Sequence, residues 1–104
     1  NGTTNENWDD GIFLFSNGPV TVKGITAFYN GYDDSGTRTP YEGNGITVHS
    51  HTFPVLIANS NINANYLHGI HVYLWGTGIL TLSNVNYFGN NTSGASGVFD
   101  LKIE

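Results

Sequence analysis

The chain is 104 residues long, the size of one domain. Only 11% of it is charged, with 14 glycines, abundant Asn and no cysteine, a turn-rich β composition that excludes disulfides, thiolate metal sites and cysteine nucleophiles. Three basic side chains against eight acidic ones leave a formal net charge of −5, so no basic patch can neutralise a nucleic-acid backbone or an anionic membrane; no apolar run nears the roughly 18 residues of a membrane span.

A polar opening with Trp8 and Asp9-Asp10 leads into the first predicted strand, GIFLFS (Gly11 to Ser16), which an Asn-Gly turn at Asn17 ends. PVTVKG (Pro19 to Gly24) and ITAFYN (Ile25 to Asn30) follow, then a long insertion over 33–44 that reads as an exposed loop. The same three elements return as GITVHS (Gly45 to Ser50), PVLIAN (Pro54 to Asn59) and INANYL (Ile62 to Leu67), and again as GIHVYL (Gly69 to Leu74), ILTLSN (Ile79 to Asn84) and VNYFGN (Val85 to Asn90). After a shorter loop over 91–96, GVFDLK (Gly97 to Lys102) begins a fourth round. With no Met at position 1, the sequence is expected to be processed or excised, any secretion signal already removed.

The leading glycines stand 34, 24 and 28 positions apart. Val20, Val55 and Leu80 match at offsets of 35 and 25, and the same offsets carry Val22 onto Ile57 and Leu82, and Asn30 onto Asn65 and Asn90. The third element drifts by up to two residues. Such repeats are too small to bury their own apolar faces and must stack on their neighbours. Strict alternation puts Ile12, Ile46, Ile70 and Val98 in one inward column and Leu14, Val48 and Val72 in the next. Burying each aliphatic side chain contributes on the order of 1.5–3 kcal/mol. Asp100 falls where Leu or Val is expected, so the last strand should bulge or turn outward. No segment sustains helical apolar spacing for three turns. The predicted fold is all-β: a single parallel β-solenoid of about three to four three-stranded coils without substantial helix.

The pattern Gly-Ile-x-Val-x-Ser followed by Pro-Val-x-Ile-x-Asn resembles the repeats of right-handed parallel β-helix proteins, the superfamily that includes pectate lyases. In style it is similar to the Asn-rich repeats of large bacterial surface proteins. The matching residues are core and turn positions, so the resemblance implies a fold and an extracellular or cell-surface location more than a reaction.

Outward positions form two rows, Phe13 with Thr47 and His71, and Phe15 with His49 and Tyr73, with Trp75 at the end of its strand. Aromatic rows on an open sheet can stack on sugars or another protein, or they can simply pair across strands. His49 and His51 share a face as metal chelation requires, and His71 lies one coil on, yet stacked or solvated histidines explain them better. Asp9-Asp10, Asp33-Asp34 and Glu42 place no carboxylate pair across a sugar. Pectate-lyase chemistry, which the resemblance brings to mind, relies on calcium-binding acids and a base, and Arg38 is the only base near them. Asp10, Asn44 and His68 each precede a leading glycine, where turn chemistry accounts for them. The Asn column, Asn30 with Asn65 and Asn90 and Asn59 with Asn84, reads as structural stacking of amides. No cofactor or metal is expected, and no enzymatic activity. The function expected is a structural or adhesive module that assembles head to tail, or onto further coils, through uncapped ends. A carbohydrate-binding module using the aromatic rows is the alternative, and a polysaccharide-degrading enzyme a more distant one.

Overall fold

Alternating branched and polar residues produce nine short strands in the computed structural model, which describes residues 2–5, 7, 9–31, 43–50, 52–74, 78–94 and 96–104. They are β1 (Gly2–Asn5), β2 (Ile12–Phe15), β3 (Val20–Lys23), β4 (Ile25–Phe28), β5 (Ile46–His49), β6 (Val55–Asn63), β7 (Ile70–Tyr73), β8 (Leu80–Asn86) and β9 (Leu101–Ile103). No helix occurs among the described residues. Trp8, Asp33, Asp34, Arg38, Glu42, His51 and Trp75, and nearly all of the predicted 33–44 loop, lie outside them.

Every pairing is parallel. One sheet stacks β2, β5, β7 and β9; the other stacks β1, then β3 and β4 side by side, then β6, then β8. A strand therefore pairs with the strand one repeat later: Ile12 faces Ile46, which faces Ile70, and Val20 faces Val55, which faces Leu80. The inward side chains of both sheets meet in one core. Val20, Val22, Val55, Ile57, Ile46, Val48, Ile70 and Val72 are buried, joined by Ala27 and Ile62, while Ile12, Leu14, Leu80 and Leu82 are half-buried against them.

The long strand β6 covers both β3 and β4 because one residue in it bends the chain. Asn59 has φ 50°, Asn84 φ 54°, and Gly24, in the same column, φ 66°. Left-handed backbone is the province of Gly and, next best, Asn. The bend breaks the local ladder, and the Ser60 hydroxyl repairs it, accepting from Ile25 N at 3.2 Å while donating to Ala58 O at 2.8 Å. Ser60 thus belongs in the column of Ile25 and Val85. The drift expected in the third element does not exist: Thr26 faces Asn61, and Asn61 faces Asn86, at the offsets of the second element.

The fourth round also differs from expectation. Ile70 pairs with Leu101 and Val72 with Ile103, so Val98 is not in the inward column and Asp100, not Gly97, follows Gly69. The 91–96 loop is lengthened at its far side, and its first residues are tied down: Asn91 N, Thr92 N and Ser93 N donate to the carbonyls of Leu67, Asn65 and Tyr66. The leading glycines answer to close packing. A Cβ on Gly45 would stand 2.7 Å from both Gly69 O and Asn65 Nδ2, and one on Gly11 2.5 Å from Thr4 Oγ1 and 2.6 Å from Asn30 Nδ2.

Candidate functional site: two polar ladders and an outer aromatic strip

The space that the glycines leave is filled by asparagines. Asn30 and Asn65 are fully buried, and a buried amide must find partners for two protons and two lone pairs. Asn65 finds all four. Its Nδ2 donates to Ala27 O (3.1 Å) and Asn90 Oδ1 (2.8 Å), and its Oδ1 accepts from Asn30 N (3.1 Å) and Asn30 Nδ2 (2.7 Å). The column extends beyond the three predicted members. Asn7 Nδ2 donates to Asn30 Oδ1 at 2.8 Å, and Asn90 donates through N and Nδ2 to Asp100 Oδ1 at 2.8 and 3.2 Å. Every amide points the same way, from Asn7 to a carboxylate that only accepts. Asn7 escaped the sequence reading because it lies before the first full repeat, although Asn7 to Asn30 keeps the spacing of Gly2 to Ile25. Asp100 was assigned to the strand interior by the wrong register.

Asn59 and Asn84 are of another kind. They are exposed, bonded to each other at 3.0 Å (Asn84 Nδ2 donating to Asn59 Oδ1), and placed by their backbone conformation.

A second ladder runs along the residues preceding the leading glycines. Asp10 Oδ1 accepts from Asn44 N (2.7 Å) and Gly43 N (3.2 Å), Asn44 Oδ1 from His68 N (2.9 Å), and His68 Nδ1 from Phe99 N (2.9 Å). Each side chain clasps the backbone one layer on. His68 Nδ1 also lies 3.2 Å from Phe99 O, to which a protonated Nδ1 would donate, but burial, reinforced by neighbouring His71, holds the pKa below the usual 6.5 and so favours the neutral ring, whose bare Nδ1 accepts from Phe99 N.

Outside the glycine-led sheet, rings form a continuous strip. His49 stacks on Tyr73 (centroids 4.0 Å apart) and on Phe15 (6.0 Å), Phe13 tilts against His49 (5.3 Å), and Tyr73 meets His71 (4.3 Å), which meets His68 (4.8 Å), which stacks on Phe99 (6.4 Å). The strip is open only at its margins. Phe13 and Phe15 are 59% and 64% exposed, but Thr47 and His71, expected to lie outward and open beside them, are buried to 3% and 8%. The Asn44 amide covers Thr47, donating to its Oγ1 at 2.9 Å, and His71 is closed in by His68, Tyr73 and Glu104, whose Oε2 lies 3.0 Å from His71 Nε2. That hydrogen bond holds the Glu104 carboxyl below its ordinary range, with Lys102 Nζ at 3.3 Å adding to it. Burial first, and then the Glu104 charge, push the Tyr73 phenol up.

Among the described residues no group of three His, Cys, Asp or Glu side chains is placed to hold a metal ion; His51, half of the His49 pair, lies outside them. The Asp10 and Asp100 carboxylates accept backbone N–H groups. What these residues do chemically is lock one layer onto the next. Compared with protein-family models, with curated proteins and with solved structures, the chain matches none.

Proposed function

We propose that the chain is a stretch of right-handed parallel β-solenoid serving as a structural or adhesive module at the cell surface or outside the cell, built to assemble end to end with copies of itself or with further coils. The observation that supports this most is how burial falls off along the stack. In the glycine-led sheet inward side chains are sealed where a strand lies on both sides and left partly open at the outermost strands, Ile46 and Ile70 being 0% exposed while Ile12 and Leu101 in the same column are half-buried; in the other sheet Leu80 and Leu82 of β8 are half-buried, whereas Val20 and Val22 of β3 stay buried. On the last strand Ile103 is 54% exposed, and Ile79, just before β8, 64%. Strand edges and open apolar ends of this kind invite another layer. The likeness of the Asn-rich repeats to bacterial surface proteins supports the location.

Electron microscopy and sedimentation across a concentration series test the reading. It requires fibres or a mass that grows with concentration, with a rise of roughly 19 Å per copy, four strand layers at about 4.8 Å each. A chain that stays monomeric at every concentration overturns self-assembly.

Carbohydrate binding is the second reading, favoured by the exposure of Phe13 and Phe15. Against it, the faces of His49 and Tyr73 are turned to each other, leaving ring edges outward where sugar stacking needs a face. Titration with neutral and acidic oligosaccharides, followed by NMR of the Phe15 and Tyr73 rings, separates the two: self-assembly alone predicts no saturable shift.

A further inference from the structure

Three Asn-Gly pairs lie among the described residues, at Asn17, Asn30 and Asn44, and the fold treats one of them differently. Such a pair is reactive, because the glycine nitrogen can reach the side-chain amide carbon and no Cβ obstructs the cyclic imide that results. At two of the pairs the polar ladders prevent this. Asn30 is fully buried, its Nδ2 donates to Asn65 Oδ1 at 2.7 Å and its Oδ1 accepts from Asn7 Nδ2 at 2.8 Å, while Gly31 N donates to Asn7 O at 2.8 Å. Asn44 is 8% exposed, its Nδ2 donates to Thr47 Oγ1 and its Oδ1 accepts from His68 N, both at 2.9 Å, while Gly45 N donates to His68 O at 3.0 Å. In both, the amide is fixed and the attacking nitrogen is engaged by backbone. The related Asp10-Gly11 pair is held in the same way, Asp10 Oδ1 accepting from Asn44 N and Gly11 N donating to Asn44 O.

Asn17 is the exception. It is exposed, it stands in the turn between β2 and β3, and its side chain makes no hydrogen bond among the described residues. A Cβ built on Gly18 would meet nothing within 4 Å. The Gly18 N–H is held by a side chain of the same turn, Ser16 Oγ at 3.0 Å, rather than by a strand.

We propose that Asn17 is a site of spontaneous covalent modification, converted in the folded protein to aspartate and isoaspartate while Asn30 and Asn44 are preserved. The Gly18 nitrogen gives its proton to solvent and bonds to Asn17 Cγ. The Cγ–Nδ2 bond breaks, and its electron pair leaves with Nδ2, which takes up a proton and departs as ammonia. Water then reopens the imide: cleavage between Cγ and the Gly18 nitrogen yields aspartate, and cleavage between the Asn17 carbonyl carbon and that nitrogen routes the chain through the side chain as isoaspartate. No oxidant or reductant enters. Either product adds a negative charge, and isoaspartate also lengthens the main chain by one carbon. The altered turn is one whose Gly18 O accepts from Ser16 Oγ at 2.9 Å and from Ser50 Oγ at 3.1 Å, so the change reaches the buried Ser50 in the next layer.

Trypsin separates the three pairs, since Lys23 and Arg38 stand between them. After prolonged incubation of the folded chain at neutral pH, the peptide ending at Lys23 should carry aspartate and isoaspartate at position 17, located by fragment ions. The peptides holding Asn30 and Asn44 should be unchanged. In unfolding urea all three should react at similar rates, because a buried site reacts only in proportion to its open fraction. Gly18→Ala fits the open space and should slow the reaction about tenfold, as a modest steric barrier does, with the melting temperature unchanged. Ser16→Ala frees the Gly18 N–H and should speed the reaction about fivefold, the worth of one hydrogen bond. Persistence of Asn17 in the folded chain overturns the proposal, as does loss of Asn30 or Asn44 from the folded chain as fast as loss of Asn17. An unaltered rate in Gly18→Ala overturns the cyclic route, and an unaltered rate in Ser16→Ala overturns the restraint assigned to that hydroxyl.

Discussion

An asparagine in this chain can owe its place to its side chain or to its backbone, and the two kinds answer differently to substitution. Asn65 gives and receives four hydrogen bonds inside the core, and replacing it by alanine removes the acceptor of Asn30 N, one of the two acceptors of Asn30 Nδ2, which keeps Thr4 O, and the side-chain donor to Ala27 O. An unsatisfied buried polar group costs about 1–3 kcal/mol, so Asn65→Ala should lower stability by about 3 kcal/mol or more in urea unfolding. Asn84 is exposed and has one side-chain bond, to Asn59; it is valued for φ 54°, where a Cβ-bearing residue other than Asn pays about 1 kcal/mol. Asn84→Ala should then cost about 1 kcal/mol, and a loss matching that of Asn65→Ala would show that the exposed pair also carries ladder energy. The reverse exchange is instructive at Ala64, which holds φ 54° in a column shared with Gly89 and Tyr29. Ala64→Gly removes the steric penalty and, against the entropy glycine adds to the unfolded chain, should raise stability by about 0.5 kcal/mol.

At the scale of an element, the last strand is the one that pH reaches. β9 is tied to β7 through backbone pairing, through the Phe99 N–H that donates to His68 Nδ1, and through Glu104 on His71. His68 titrates lower in the folded chain than its usual 6.5, so its contribution is fully present above pH 6.5 and drains away as the pH falls toward the folded pKa. Glu104 follows the depressed-carboxylate rule: its contribution stands above about 4.5 and is lost as the pH falls through its lower folded value. Thermal melts should decline below pH 6.5 and again in stronger acid. His68→Asn puts the Asn44 acceptor chemistry into the same column and should abolish the first decline while leaving the second; a first decline that survives it locates the titration elsewhere. This strand is also where the sequence misled. Gly97-Val98 imitates the Gly-Ile start of earlier rounds, but Asp100 is needed over Asn90, and that requirement is visible only once the ladder is traced in space. The offsets of 35 and 25 were legible because two elements shared them, whereas Ser60 hid the same offsets in the third element by standing, as a hydroxyl, in an otherwise apolar column. Likewise alternation marked Thr47 and His71 as outward, and only the folded turn residues Asn44 and His68 reveal that outward is not open.

For the whole molecule, nearest-neighbour stacking makes position along the stack as important as burial. Each layer is held by the layers on either side, and all pairings join residues 23 or more positions apart, so no layer can form by local contacts alone and loop closure precedes every gain. A charge in the middle therefore severs the molecule, while the same charge at the end shortens it. Ile46→Asp puts a carboxylate where the exposure is 0%, between Ile12 and Ile70, with no partner; cooperative β-type unfolding should vanish. Leu101→Asp makes the same chemical change in the outermost layer, where water already reaches the half-buried side chain. Hydrogen exchange should then find β9 unprotected together with the Gly69 and Ile70 amides, which donate to Phe99 O and Asp100 O just before it, and β5 and the Val55–Ile57 part of β6 still protected, with a single cooperative transition retained at lower temperature. Global loss of protection in both variants would mean that the four layers fold as one indivisible unit, and that the outermost strand is as essential to the fold as its centre.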